Sequence, residues 1–210
     1  MSVSEALNSG RGRPPSVPVR KATDADAGPV ARMMARAFFA DPIINYMFPE
    51  EAVRRRKLEP LFSLLFQSNH ALEGCDVTGD CESAGMWRPP GHWHISNWEI
   101  LRNLGKFLAV YGLSPRRVFA VLNAMERAHP REPHWYLMVL GTDPDRQGQG
   151  YAGITLRHRL AQVDAEHMPA YLEASRPSNV PVYTKFGFVQ TGEITFPNGP
   201  TVYPMWREAR

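Results

Sequence analysis

Three of the four glycines in LGTDPDRQGQGYAGITL, residues 140–156, lie close together at the start of a segment whose pattern predicts a helix. Gly148, Gly150 and Gly153 spell G-x-G-x-x-G, and a backbone without Cβ atoms can approach a phosphate closely. Glu173 lies about 20 residues further on, where a dinucleotide-binding fingerprint places the acid that binds ribose. These residue types therefore indicate phosphate chemistry, with an NAD-type cofactor as the first hypothesis.

The spacing disfavours that hypothesis. Seven residues separate Leu140 from Gly148, whereas the dinucleotide fingerprint needs its first glycine at the end of the first strand. Pro144 cannot lie inside a central strand, and too little chain follows Gly148 for successive βαβ units. A Walker phosphate loop is excluded because no Gly-Lys-Ser/Thr follows.

The same residues also form the pattern P-x-x-Q-G-Q-G-Y-A. Successive backbone N–H groups from Gln147 to Ala152 would point into the space before the helix, and the helix dipole would favour an anion there. A second pattern, LEASRPSNVPVYTKFGF, occupies residues 172–188. Its Asn179 and Tyr183 are four residues apart and so share one face of a short helix, which Ser178 or Asn179 can cap.

In this order the two patterns resemble motifs A and B of the GNAT superfamily of acyl-CoA-dependent N-acyltransferases. From residue 132 onward the chain is most similar to the branch of that superfamily that contains puromycin N-acetyltransferase. The resemblance implies an α/β fold with a splayed mixed sheet of about seven strands between helices. It also implies acetyl-CoA as co-substrate, no metal, and direct transfer of the acetyl group to an amine.

The resemblance assigns residues to the cofactor. The backbone N–H of Leu140, where the strand bulges and splays, would stabilise the oxyanion, a contact worth about 3–4 kcal/mol. Thr142 would pair with the pantetheine arm. The further cofactor contacts are Gln147, Gly148, Gln149, Gly150, Tyr151, Ala152, Asn179 and Tyr183.

Two proton transfers need side chains. The resemblance implies that Tyr183, by its position in motif B, is the general acid that protonates the departing sulfur. The amine needs a base, since an alkylammonium must lose a proton before it attacks. Glu173 is the preferred candidate, and His134 and Glu132 at the entrance of the strand are the alternatives.

The family places its acceptor pocket between the first two helices and the sheet, where Phe39, Tyr46 and Trp87 could line it. Residues 92–130 form a helical insertion that either covers this pocket or makes a homodimer contact. We expect a small-molecule amine as acceptor. The alternatives are a protein lysine or N-terminal acetyltransferase, and a non-catalytic acyl-CoA sensor, which would not need Tyr183.

Composition and charge argue against several other classes of protein. The chain has 210 residues, 43% of them hydrophobic, and a formal net charge of +3. This mild excess suits a polyanionic small molecule but is too small to predict nucleic-acid binding. No apolar run approaches the ~18 residues of a membrane span, and the N-terminus has no signal-peptide pattern. Cys75 and Cys81 indicate reduced thiols and a cytoplasmic location, and their spacing, with His92 and His94, is not a zinc pattern.

Residues 1–16 are expected to be a disordered basic tail, and residues 17–210 a single N-acetyltransferase domain with its cofactor motifs in 134–190. Pro42 should break the chain into an aromatic loop, DPIINYMFP, after the first helix. The remaining predicted elements are a strand at 17–23, a helix from Thr23 or Asp24, a helix at 51–70 kinked at Pro60, two strands joined by Gly79-Asp80, helices within 95–128 with a break at 112–115, a strand at 134–141, a helix to 166, a strand AYLEAS, a short helix and a hairpin.

Overall fold

The computed structural model describes residues 16–94, 104–111 and 116–210. Its centre is an eight-stranded mixed sheet between helices. The strands are β1 (Val19–Lys21), β2 (Cys75–Thr78), β3 (Ser83–Arg88), β4 (Trp135–Thr142), β5 (Ala170–Ala174), β6 (Val189–Gln190), β7 (Ile194–Thr195) and β8 (Thr201–Arg207). The helices are α1 (Ala27–Ala37), α2 (Pro42–Met47), α3 (Glu51–His70), α4 (Leu104–Tyr111), α5 (Arg116–Ala128), α6 (Tyr151–Ala165) and α7 (Val180–Thr184).

The sheet splays in its middle. Its strand order is β1-β2-β3-β4-β5-β8-β6, with β7 also paired to β8. Among the strands of the described residues, only β4 and β5 run parallel, and their pairing covers just Trp135–Leu137 against Ala170–Leu172. Beyond Leu137 the two strands have no register partners in each other, although β4 continues to Thr142. The predicted splayed mixed sheet flanked by helices is confirmed.

A β-bulge in β4 lies at the start of this opening. Met86 of β3 faces Val139, and the next residue, Trp87, faces Leu137, so Met138 has no residue opposite it in β3. A bulge bends its strand and increases the local twist. Here it lies where β4 parts from β5 and two residues before Leu140.

Helices α1 and α3 cover one face of the sheet. Val30, Met33 and Met34 recur at helical spacing on α1 and are buried, as are Leu58 and Phe62 of α3, which together form the core between these helices and the sheet. Helix α3 spans the predicted residues and continues through Pro60. On the other face, α6 packs on β3 and β4 around Leu156 and Leu160.

One predicted element is wrong. The segment DPIINYMFP is not a loop, because Pro42 begins α2 rather than ending regular structure. The side chain of Asp41 accepts hydrogen bonds from the backbone N–H groups of Ile43 (2.9 Å) and Ile44 (3.2 Å). A capping aspartate followed by proline in the first turn is a favourable helix start.

The predicted tail and part of the insertion lie outside the described residues, namely 1–15, 95–103 and 112–115. The rest of the insertion is mostly helical, as expected, in α4 and α5; residues 92–94 and 129–130 lie outside these helices. Lys106 of α4 donates a 2.6 Å hydrogen bond to Gln67 of α3, so α4 packs against that helix. In the part of the chain that the structure describes, no helix has the length and apolar character needed to cross a bilayer.

Candidate active site

A cavity of about 240 Å³ opens where β4 and β5 part. Its walls are mainly aliphatic and aromatic side chains of α2, α3, α4 and α5, including Ile43, Met47, Leu61, Phe62, Phe107, Val118, Val121, Leu122 and Met125. Its polar side chains belong to Asp41, Tyr111, Tyr136, Glu173, Ser175, Asn179 and Tyr183. Among the described residues that line it, only Asp41 and Glu173 are charged, so the cavity combines apolar walls with two carboxylates.

The glycine loop forms a tight entry to α6. Gly148 and Gly150 have φ angles of +82° and +89°, a region that residues with a Cβ adopt only with strain. Gly150 occupies the N-cap of α6, and no side chain caps the helix there. The first N–H groups of a helix lack intrahelical partners, so this end of α6 is a suitable place for an anion.

The polar side chains of this loop brace it from within. Gln147 donates to the carbonyl of Thr142 (3.2 Å) at the end of β4, and Gln149 donates to the carbonyl of Asp145 (3.3 Å). Tyr151 is buried, as is Ala152. The side chains of Gln147 and Tyr151 are therefore held inside the fold, whereas that of Gln149 is exposed.

Leu140 and Thr142 lie on the part of β4 that pairs with β3 but not with β5. Leu140 lines the cavity and stands opposite Gly85 of β3. Thr142 is buried, and its hydroxyl donates to the Ser83 hydroxyl (3.1 Å), which in turn donates to the carbonyl of Gly141 (2.8 Å). Since the side chain of Thr142 is held inside the sheet, only its backbone is available for the pairing expected of it.

Asn179 and Tyr183 both line the cavity from the segment after β5. The Oδ1 atom of Asn179 is buried and accepts no hydrogen bond, and its side chain does not cap α7, contrary to the alternative weighed from the sequence. Burial raises the pKa of the Tyr183 phenol above its usual value, and the negative charge of Asp41 adds to this effect. Tyr183 therefore keeps its proton at neutral pH.

Asp41 also belongs to this site, although it is not among the residues predicted from the sequence. Besides capping α2, it accepts a 2.6 Å hydrogen bond from the hydroxyl of Ser175, just after β5. Burial raises the pKa of the Asp41 carboxyl, a rise that these hydrogen bonds oppose. The Asp-Pro dipeptide marks a helix cap in the sequence, but nothing in the sequence places that cap beside β5.

Glu173 also lies in the cavity, with its side chain only 3% exposed. Its Oε1 atom accepts no hydrogen bond and lies 3.8 Å from Nδ1 of His129. His129 Nε2 is 3.0 Å from Nε2 of His134, whose Nδ1 is 2.6 Å from the carbonyl oxygen of Glu132. His134 and Glu132, the alternative bases, do not line the cavity, and they connect to Glu173 through a histidine that the sequence analysis did not select.

The three aromatic residues expected in the acceptor pocket do not line this cavity. The ring of Phe39 lies beneath the guanidinium groups of Arg54 and Arg55, and its neighbour Phe38 lines the cavity instead. Tyr46 packs against Phe196, and its hydroxyl donates to the carbonyl of Pro197 (3.3 Å).

Trp87 is fully buried, in the core cluster that includes Leu156 of α6. This residue lies on the α6 side of the sheet because the side chains of β3 alternate between its two faces.

Within the described ranges, no group of three or more His, Cys, Asp and Glu side chains is arranged to hold a metal ion. Cys75 and Cys81 are buried free thiols. Burial raises the pKa of each to about 12, so both stay protonated and unreactive.

Comparison with known proteins is consistent with this geometry. The model of the acetyltransferase (GNAT) family matches residues 66–188. An uncharacterised N-acetyltransferase of Schizosaccharomyces pombe is 28% identical over 177 residues, 78% of this chain and 71% of that protein.

Two solved structures resemble the whole described fold. One, from Corynebacterium glutamicum ATCC 13032, is described as histone acetyltransferase HPA2 and related acetyltransferase; it matches with a TM-score of 0.73 at 25% identity, over 93% of this chain and 98% of that one. Arylalkylamine N-acetyltransferase 2 of Aedes aegypti matches with a TM-score of 0.66 at 14% identity, over 93% and 100%. At that identity the second match concerns the fold alone.

Proposed function

Because this chain belongs to the GNAT family of acetyltransferases, we propose that it transfers the acetyl group of acetyl-CoA to the primary amine of a small molecule with an apolar body. The observation that carries the proposal is the cavity between β4 and β5, in which two carboxylates face mainly apolar walls. The family accounts for the reaction, and this cavity supports the choice of acceptor.

The residues present fit acetyl-CoA, which supplies an activated acetyl thioester. The backbone of the loop at Gly148 and Gly150, with the N-terminus of α6 behind it, would hold the pyrophosphate. The edge of β4 that faces away from β3 around Leu140, where β5 no longer pairs with it, would hold the pantetheine arm, since a free strand edge accepts another extended chain. The orphaned buried Oδ1 of Asn179 indicates a polar partner on the cofactor.

The acceptor would lie with its apolar body against the helical walls and its ammonium group near Glu173 and Asp41. Burial of an apolar group contributes about 25 cal/mol per Å², so these walls favour a bulky apolar substituent. A polyamine would place its second cation against the apolar walls, away from the reacting ammonium group. Among the described residues, those walls hold no carboxylate besides Glu173 and Asp41. An amine with a single positive charge suits the cavity best.

The chain supplies three functions for the transfer. Glu173 removes a proton from the ammonium group, so that the neutral amine can attack. The backbone N–H of Leu140 is the donor to the developing oxyanion. Tyr183, which retains its proton at neutral pH, protonates the departing sulfur.

The test is release of the coenzyme A thiol over a panel of amines, comparing the wild type with Tyr183→Phe. Phenethylamine, tryptamine and puromycin represent apolar amines, agmatine and spermidine represent polycations, and a lysine peptide represents a protein substrate. We expect turnover of apolar monoamines, reduced at least tenfold by Tyr183→Phe with acetyl-CoA affinity unchanged. Thr184→Val, whose hydroxyl bonds only to the carbonyl of Val180 one turn earlier, is the matched control and should keep full activity.

Other outcomes distinguish the alternatives. Turnover of the lysine peptide alone would favour a protein acetyltransferase. Stabilisation by acetyl-CoA without turnover of any amine would favour an acyl-CoA sensor. Failure of acetyl-CoA to bind would contradict the proposal altogether.

A further inference from the structure

His129 lies behind Glu173, immediately after α5, and both side chains are 3% exposed. Trp93 stacks on the His129 ring at 4.1 Å between centroids, while Tyr136 and Tyr171 meet it edge-on at 4.8 Å. These contacts fix the plane of the imidazole. His129 Nδ1 then faces Glu173 Oε1 at 3.8 Å, too far for an ordinary hydrogen bond, although Oε1 is buried and accepts no hydrogen bond.

The neighbouring histidine determines which nitrogen of His129 carries the proton. His134 Nδ1 lies 2.6 Å from the carbonyl oxygen of Glu132, and a carbonyl only accepts, so Nδ1 must be protonated. Burial lowers the pKa of His134, so this ring is neutral and its Nε2 is an acceptor. The 3.0 Å contact between the two Nε2 atoms therefore requires that His129 donate from Nε2, which leaves a lone pair on its Nδ1 whenever the ring is neutral.

Two lone pairs thus oppose each other across the gap between His129 Nδ1 and Glu173 Oε1. A single added proton converts this opposition into a hydrogen bond. We propose that Glu173 and His129 act as one proton-accepting pair, and that His134 is a positioning residue that holds His129 in the required tautomer. This inference rests on the proposed function, because it identifies how the base of that reaction stores its proton.

The proton balance is simple. The N–H bond of the substrate ammonium breaks, its electron pair stays on nitrogen as the nucleophile, and the proton is taken between Glu173 Oε1 and His129 Nδ1. The second amine proton leaves after the N–C bond has formed and the C–S bond is broken, and it balances the proton that Tyr183 gives to sulfur. The pair returns its proton to solvent when the products leave.

The other groups around the pair do not compete for this proton. Tyr136 of β4 and Tyr171 of β5 face Glu173, and burial together with the Glu173 charge raises the pKa of both phenols, so both keep their protons. Arg88 of β3 lies near enough to Tyr136 to oppose that rise weakly. Asp41, across the cavity, is held by the hydroxyl of Ser175 and by two backbone N–H groups.

Nuclear magnetic resonance of the full chain with ¹⁵N-labelled histidine tests the tautomer without any turnover. The signal of His129 is identified by its absence in His129→Gln. At pH 8 without substrate, we expect His129 to carry its proton on Nε2 and none on Nδ1. His134→Leu removes the acceptor for the Nε2–H group of His129, so the Nδ1–H tautomer of His129 should appear. His134→Gln keeps an acceptor in reach and should preserve the Nε2–H tautomer. An Nδ1–H tautomer in the wild type at pH 8 would overturn the proposal.

Kinetics test the same pair during the reaction. We expect His129→Gln to lower kcat at least tenfold, to leave the KM for acetyl-CoA unchanged, and to move the acid limb of the kcat/KM profile to lower pH, because the proton is no longer shared. His134→Leu should have a similar but smaller effect, and His134→Gln should restore most of the rate. A fall in kcat with an unmoved acid limb would indicate a structural role only and overturn the proposal. If the wild type acetylates no amine, the proposed function fails, while the tautomer experiment still decides whether the pair exists.

Discussion

The hydroxyl of Ser175 donates a 2.6 Å hydrogen bond to Oδ2 of Asp41, 134 residues earlier in the chain. This contact joins the end of β5 to the capped start of α2 and brings a second carboxylate into the cavity of Glu173. It also fixes Asp41 near Tyr183, whose pKa is raised in part by the charge of that carboxyl. The side chain of Asp41 therefore both caps α2 and supplies a carboxylate to the cavity.

Substitution of Asp41 should separate these two roles. Asp41→Ala removes the cap of α2 and should lower the free energy of unfolding by about 1–2 kcal/mol, measured by urea denaturation. Asp41→Asn keeps an acceptor for the N–H groups of Ile43 and Ile44 and should retain most of that stability. Because both variants lose the charge, both should raise the KM for the amine roughly tenfold at pH 8, as expected for loss of a charge-assisted contact.

A matched control for Asp41→Asn is Asp80→Asn, which removes an exposed carboxylate from the turn between β2 and β3 and does not line the cavity. Its amine KM should equal that of the wild type. If Asp41→Asn also leaves the amine KM unchanged, Asp41 serves α2 alone and has no part in holding the acceptor.

Alanine at Gly148 or Gly150 should weaken acetyl-CoA binding at least tenfold, because the φ angles of +82° and +89° are strained for alanine and its methyl group narrows the approach to the loop. The strain should also cost about 1–2 kcal/mol of stability per site. Calorimetric titration with acetyl-CoA and urea denaturation measure the two effects.

The control for these substitutions is Gly192→Ala, since a Cβ at Gly192 meets no atom within 4 Å. We expect it to change neither stability nor affinity by a measurable amount. Normal acetyl-CoA affinity in Gly148→Ala and Gly150→Ala would show that this loop does not hold the phosphates.

Acid sensitivity of the fold should depend on Asp26. Its carboxylate accepts two hydrogen bonds from Arg20 (2.7 and 2.8 Å) and one from the N–H of Thr23 (2.7 Å), and the pairing with Arg20, more than any other contact, lowers its pKa well below the usual range. A carboxyl whose pKa is lower in the folded chain than in the unfolded one stabilises the fold at pH values above ~4, the pKa of an unperturbed aspartate. That contribution is lost progressively as the pH falls from there through the folded-state pKa.

Asp26→Asn should therefore be less stable than the wild type at pH 7. The difference in melting temperature between the two proteins should shrink as the pH is lowered below ~4. Thermal unfolding at several pH values measures this difference. A gap that stays constant down to pH 2 would mean that the contribution of Asp26 does not come from its charge.

Much of the fold could be predicted from local patterns. The helical spacing of Val30, Met33 and Met34 predicted α1, and the sequence also predicted the bounds of α3, with a kink at Pro60. The splayed sheet came from the resemblance to a family rather than from periodicity. The segment after Asp41 was interpreted wrongly because proline both breaks and begins helices, and only the cap contacts distinguish the two.

The candidate site also has features that the sequence predicts and features that only the structure shows. Sequence alone determined the glycine loop, the helix that follows it, and the one-turn spacing of Asn179 and Tyr183, because these depend on backbone conformation and on neighbours within a few residues. Only the tertiary structure decided that Phe38 rather than Phe39 lines the cavity, that Trp87 packs on the opposite face of the sheet, and that Asp41 and His129 lie beside β5. These are contacts between residues far apart in the chain, made by strands and helices whose packing sets the face each side chain occupies, and no local pattern encodes them.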